Sequence, residues 1–213
     1  MIKILFLSLF LFLPISKAVY AETEMSFGLS LGDERRGFCF SASQYYGVAE
    51  KEVVIIREKG IPDDEIPVVL FLASRARVTP DAIWRLRLQR KSWMDISLHF
   101  GLGADIFYVP VKGVFGPPYG NAYGYYSKTP RNKWKKIVLK DDDIINFVNL
   151  RFVSEHYGYA PEEVIKMRIK GIDFVKINNE IKIIKSGKKT GEEKSQKGGK
   201  QKDRQFKSRG KKR

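Results

Sequence analysis

The feature that most constrains this chain is an internal repeat that occurs three times. The copies start at Ser43, Ala73 and Ser154, with offsets of 30 and 81 residues. Apolar positions coincide without gaps in all three copies. Repeats of this period form supersecondary units that bury their apolar faces against their neighbours. We therefore predict a mainly α fold, a compact array of about three helix-turn-helix-like units of about 30 residues each.

Each copy predicts a helix, a short turn and a second helix. Apolar residues recur at helical spacing after the first turn, at Ile66, Val69 and Leu70. Proline and acidic residues open the helices, and Gly60 and Gly171 stand where a helix ends in a left-handed residue. The stretch 174–184 fits either a hairpin or a helix, and the repeat favours the helix. A fourth copy begins at 99–102 and is stopped by proline near 110.

The best-preserved copies follow the pattern Gly-Val-x-Pro-Glu-Glu-Val-Ile-x-x-Arg-x-x-Gly, then an aromatic residue and Ile. The matching stretches are 158–171 with Phe174 and Ile177, and 78–90 with Trp93 and Ile96. These units resemble repeats in exported bacterial proteins of no assigned function, and the resemblance covers most of 43–177. It implies an all-helical body and carries no known activity or catalytic residues. The second copy departs from the pattern, with Arg77 and Arg90 in place of glycine, which suggests that its turns differ.

Composition divides the rest of the chain. The N-terminus has the features of a signal peptide: a positive charge at Lys3, an apolar run over 4–13 and the sequence Val-Tyr-Ala before residue 22. We predict cleavage near Ala21. The apolar run is about half of what a membrane-spanning helix needs, which disfavours a membrane anchor. We therefore expect an exported protein, periplasmic or extracellular, without a transmembrane helix in the mature chain. The predicted segments are 1–21 (signal peptide), 22–42 (N-terminal segment with a short strand through Phe27, Leu29 and Leu31), 43–110 (units one and two), 111–140 (irregular, rich in Gly, Pro and Tyr), 141–184 (third unit) and 185–213 (basic tail).

The tail carries most of the positive charge. Residues 185–213 have a net charge of +10, of the +15 in the whole chain, and the body 22–184 has only +3. Phe206 is the tail's only large apolar residue, so we predict that the tail is disordered. It either keeps the protein soluble or binds an anionic polymer, which would be an envelope glycan, lipid headgroups or nucleic acid. Lys211, Lys212 and Arg213 end it.

Two sets of residues in the body are candidate binding sites. Arg57, Arg87 and Arg168 share one repeat position. They either form a row that grips an acidic partner, or each clamps its own unit, and we favour the clamp because repeats preserve packing first. The tyrosines of the irregular segment either stack on sugar rings or bases, or pin the segment to the helices; they are Tyr119, Tyr123, Tyr125 and Tyr126.

Nothing in the sequence predicts a catalytic residue, a cofactor or a metal site. One cysteine and two histidines leave too few zinc ligands, and the common nucleotide-binding glycine motifs do not occur. We predict that Cys39 is buried, that His99 and His156 are structural, and that the acids at 63–65 and 141–143 stabilise helix starts.

Together these features predict an exported, non-enzymatic helical interaction protein whose basic tail binds anionic envelope material. The alternative is a nucleic-acid-binding helix-turn-helix protein with a basic C-terminal arm, which would lead if translation began at Met25. A hydrolase acting on envelope polymers ranks third.

Overall fold

The computed structural model describes residues 34–186, and every regular element in that range is helical. The α-helices are α1 Glu34–Tyr46, α2 Glu50–Glu58, α3 Ile66–Ala76, α4 Pro80–Leu88, α5 Trp93–His99, α6 Gly120–Lys128, α7 Asp141–Tyr157, α8 Pro161–Ile169 and α9 174–186. Short 3₁₀ helices span Asp63–Glu65, Ala104–Ile106 and Arg131–Lys136. The predicted mainly α fold is confirmed. The predicted signal peptide, the strand at 27–31 and the tail from 187 onward lie outside the described residues.

The three copies of the repeat share their local backbone geometry. Helices α2, α4 and α8 each contain nine residues and begin at the repeat offsets of 30 and 81. A residue in the left-handed region stands before and after each helix. These residues are Gly47 (φ 66°), Arg77 (57°) and Gly158 (65°) before the helix, and Gly60 (87°), Arg90 (64°) and Gly171 (84°) after it. The two arginines of the second copy therefore adopt the conformation that glycine adopts elsewhere. How many units the whole array contains stays a prediction, because α6 lies outside this scheme and most of α1 and of α7 precedes the copy that it leads into.

The left-handed residue that follows each nine-residue helix makes the same backbone hydrogen bond, to the carbonyl three residues before it. The backbone N–H of Gly60 donates to the Arg57 carbonyl at 2.9 Å, and the equivalent bonds from Arg90 and Gly171 measure 2.8 and 3.0 Å. The interrupted fourth copy begins in the same way, with Gly101 at φ 71°. A 3₁₀ turn over Ala104–Ile106 then replaces the α-helix. The helix predicted over 174–184 is present as α9.

Helices α3 and α7 form the centre of the core. Eight consecutive residues of α3, Ile66–Ala73, are buried, and so are most positions of α7. Helix α1 packs against α2, α3 and α7, and its Phe38 meets Phe152 of α7 edge-on at 5.6 Å.

Two predicted segments differ from the observed elements. Residues 34–42 belong to α1, which continues to Tyr46 and buries Phe38 and Ala42. The segment 111–140 is only partly irregular, since it contains α6 and the 3₁₀ helix Arg131–Lys136. Gly and Pro disfavour helix locally, but burial of Ala122 and Tyr126 at helical spacing outweighs that preference.

At equivalent left-handed positions, removing a glycine and introducing one should change the free energy of unfolding in opposite directions. A Cβ at Gly171 would meet no atom within 4 Å, so only backbone strain opposes a side chain there. We expect Gly171→Ala to lower the free energy of unfolding by about 1 kcal/mol, and Arg90→Gly to raise it by about 0.5–1 kcal/mol. Gly124 in α6 is the control, because it has open space and no left-handed φ. Gly124→Ala should raise the free energy of unfolding by about 0.5–1 kcal/mol, and chemical denaturation measures all three. If Gly171→Ala stabilised the protein as Gly124→Ala does, the explanation by backbone strain would be wrong.

Candidate binding surface

Arg87 joins three elements through a nearly complete set of partners. Its guanidinium donates to both oxygens of Glu65, from Nε at 2.8 Å and from Nη2 at 2.7 Å. Nη1 donates to Asp141 at 2.6 Å and to the Lys91 carbonyl at 3.1 Å. The guanidinium carbon also lies 4.7 Å from the centre of the Trp93 ring. The hydrogen bonds to Glu65, followed by that to Asp141, raise the pKa of Arg87, whose side chain is only 19% exposed.

The other two arginines repeat parts of this arrangement. Arg168 donates to the carbonyl four residues on, at Ile172, and lies over Phe174 six residues on, at 5.4 Å. In the first copy the equivalent of Trp93 and Phe174 is Asp63. Arg57 pairs with this carboxylate at 3.1 Å and is 36% exposed. Each arginine therefore holds groups of the fold, Arg57 and Arg168 within their own units and Arg87 across to the first and third units, which favours a clamp over a row that grips a partner. A role in gripping a partner stays a prediction.

Three of the four candidate tyrosines are buried or half-buried against the body. Tyr119 and Tyr126 are buried, and the hydroxyl of Tyr126 donates to the Ala104 carbonyl at 2.6 Å. The hydroxyl of Tyr123 donates to the Val109 carbonyl at 2.8 Å. Burial raises the pKa of all three phenols well above the usual range, so they keep their protons. Tyr125 alone of the four is exposed, at 43%.

The acidic clusters and histidines also have structural surroundings. Asp63, Glu65 and Asp141 pair with the repeat arginines, in addition to standing at helix starts. His156 packs beside Tyr45 and Phe152, and desolvation together with Lys182 and Lys185 lowers its pKa. Cys39 is buried, as predicted. Within residues 34–186 no three His, Cys, Asp or Glu side chains are placed to hold a metal ion.

The strongest surface feature is a cluster of cations that the sequence reasoning passed over. The basic surface, as we call it, consists of six exposed side chains on and around the last 3₁₀ helix: Lys128, Arg131, Lys133, Lys135, Lys136 and Lys140. None of them forms an ion pair with a carboxylate of the described residues. The signal was available in the sequence, since 106–140 contains seven Lys or Arg and no Asp or Glu. The net charge of the whole body, +3, does not reveal this cluster, because acidic residues elsewhere in the body cancel its charge.

Trp134 fixes the basic surface to the body. Its indole N–H is shared between the carbonyls of Thr129, at 2.9 Å, and Tyr126, at 3.2 Å. Its ring packs on Tyr108 at 4.6 Å and on Tyr126 at 5.0 Å. A Cβ at Gly103 would lie 2.7 Å from the Cα of Lys135, so the 3₁₀ helix approaches the backbone of the preceding turn directly. The cations therefore sit on a positioned segment, with Trp134 as its anchor.

A groove between α1 and α2 is the second surface feature. It encloses about 350 Å³ and is lined by Cys39, Phe40, Val53 and Val54, with Arg36, Arg57, Glu50 and Glu58 at its polar edges. Its two arginines and two glutamates balance in charge, so the groove does not share the cationic character of the basic surface.

No helix in the described part of the chain is long and apolar enough to cross a membrane. Comparison of the chain with protein-family models, with curated proteins and with solved structures gives no match, and so identifies no catalytic family.

Proposed function

We propose that this protein is an exported, non-enzymatic interaction protein that binds an anionic polymer. The observation that carries the proposal is the basic surface: six exposed cations, none of which forms a salt bridge within the described residues, on a segment anchored by Trp134. Cations held together in this way attract a polyanion and release its counterions on binding. The predicted basic tail adds to the same attraction.

The contacts of the other candidate residues support a role in binding over a role in catalysis. The arginines, three of the tyrosines and the acidic clusters are engaged in contacts that hold the fold. These residues act as a scaffold, and the basic surface is what the scaffold presents.

Nucleic acid is the alternative partner, through the helix-turn-helix units. In the first unit the second helix is α3, which is buried along Ile66–Ala73. A buried helix cannot enter a DNA groove. The basic surface and the tail, in contrast, would contact phosphates and bind nucleic acid of any sequence.

A matched pair of triple variants tests the binding proposal. Lys133→Gln/Lys135→Gln/Lys136→Gln removes three charges from the basic surface, and Lys51→Gln/Lys166→Gln/Lys170→Gln removes three exposed charges elsewhere. Each lost phosphate contact should reduce the log–log salt slope of duplex DNA binding by about 0.9. The first variant should therefore lose about 2.7 of that slope in a fluorescence anisotropy titration, and the second should change little. Equal losses in both variants would contradict the basic surface as the binding site.

Export is tested by fractionation with N-terminal sequencing of the mature chain. Because the predicted cleavage follows Ala21, the exported protein should begin at Glu22. A cytoplasmic chain that begins at Met1 or Met25 would contradict export and favour the nucleic-acid alternative.

A further inference from the structure

We infer that the partner of the basic surface is an anionic lipid bilayer, which the surface meets with Lys136, Val138 and Lys140. The inference rests on the proposed function and specifies its partner. It follows from the short extended stretch that leads from the 3₁₀ helix to α7.

In this stretch the side chains alternate between the core and the solvent. Ile137 has extended backbone angles, φ −65° and ψ 137°, and both Ile137 and Leu139 are buried. Because side chains of an extended chain alternate, burial of 137 and 139 turns 138 outward. Val138 is 76% exposed, and the exposed Lys136 and Lys140 flank it.

An exposed valine between two lysines suits the boundary between lipid headgroups and acyl chains. The valine leaves water for the apolar side of the boundary, while each lysine keeps its ammonium among the phosphates and lays its methylene stem along the apolar surface. The other four cations of the basic surface add attraction to an anionic leaflet, each contributing roughly a fivefold gain in affinity if it lies near the lipid surface.

Trp134, the ring within the basic surface, offers no stacking platform for bases or sugars. Stacking on bases or sugars needs a free ring face. Trp134 is half-buried against Tyr108 and Tyr126, and the guanidinium of Arg131 lies over it at 5.4 Å. A bilayer needs no stacking face, and it offers Val138 an apolar environment that a phosphate backbone does not.

Vesicle sedimentation with the full chain tests the inference. Vesicles of phosphatidylcholine with and without phosphatidylglycerol separate charge attraction from general adhesion. We expect binding only when phosphatidylglycerol is present, and binding about fivefold weaker for Val138→Ser, because the substitution removes the apolar contact and no charge. Leu98→Ser is the matched control, since Leu98 on α5 is 52% exposed and lies outside the basic surface. It should bind like the unmodified chain.

Other outcomes would contradict the lipid inference, or both that inference and the proposed function. If Val138→Ser weakens vesicle binding no more than Leu98→Ser does, or if the full chain ignores phosphatidylglycerol, the lipid inference is wrong. If vesicles do not bind but the Lys133/Lys135/Lys136 variant still loses DNA binding selectively, the proposed function stands and only the choice of lipid falls. If neither vesicles nor DNA bind at low salt, both fall. Thermal unfolding followed by circular dichroism checks that each variant is folded.

Discussion

Replacing Arg87 with alanine is expected to lower the free energy of unfolding by about 3 kcal/mol. The substitution removes two hydrogen bonds to Glu65, one to Asp141 and the contact with Trp93. The Glu65 side chain, at 11% exposure, would then hold a carboxylate away from water without its cationic partner. Leaving one member of a buried ion pair alone costs more than the pair itself contributes.

Chemical denaturation of Arg57→Ala gives the matched comparison. Arg57 occupies the equivalent repeat position but is more exposed, and it pairs with a single carboxylate of the described residues, Asp63. Exposed pairs contribute little, so the expected loss is at most about 1 kcal/mol. Equal losses at the two positions would show that burial and the number of partners do not govern the clamp, and that the arginines have some other role.

Replacing Phe147 with alanine is expected to lower the free energy of unfolding by about 3–5 kcal/mol. Phe147 of α7 is fully buried, and its ring centre lies 6.3 Å from that of Tyr119, 5.0 Å from Tyr123 and 5.8 Å from Tyr126. Truncation opens a cavity beneath α6 at the point where three rings meet. Since the basic surface is anchored through Trp134 on Tyr126, the loss should also loosen that surface.

Hydrogen exchange distinguishes this local effect from a general loss of stability. Amides of α6 should lose protection in Phe147→Ala before those of α2, which does not depend on the tyrosine cluster. Phe147→Leu keeps most of the buried volume and should cost less than about 1.5 kcal/mol. Equal loss of protection in α6 and α2 would contradict the view that Phe147 holds this segment in particular.

The repeat made the first helix of each unit predictable, together with the residues that end it. Gly60 and Gly171 signal left-handed residues by themselves. The arginines Arg77 and Arg90 instead suggested that the turns of the second copy differ, and the structure shows the same left-handed conformation there. The same alignment decided between helix and hairpin over 174–184. Helix α1 was missed because the repeat was recognised only from Ser43, near the end of that helix.

The candidate site was much less predictable. The partners of Arg87 come from positions 22 and 54 residues away, and only the packing of α3 and α7 against the second unit brings Glu65 and Asp141 together. Helix α6 is stabilised by the packing of its tyrosines on Phe147. The local sequence, rich in Gly and Pro, gives no indication of that contact. The outward direction of Val138 likewise depends on burial of its neighbours, which no single-residue preference encodes.

The bounds of the nine-residue helices have a consequence for how this scaffold can be varied. Each helix is delimited at both ends by backbone conformation, so its length does not depend on how much chain separates it from the next copy. Helices α4 and α8 keep the same register although their spacing is 81 residues where that of α2 and α4 is 30. We therefore expect that the stretch 106–140 can be replaced, provided that the new segment restores the core contacts of buried residues such as Phe107, Tyr119 and Tyr126. A graft that supplies new rings for Phe147 should give the same scaffold a different surface, and with it a different partner.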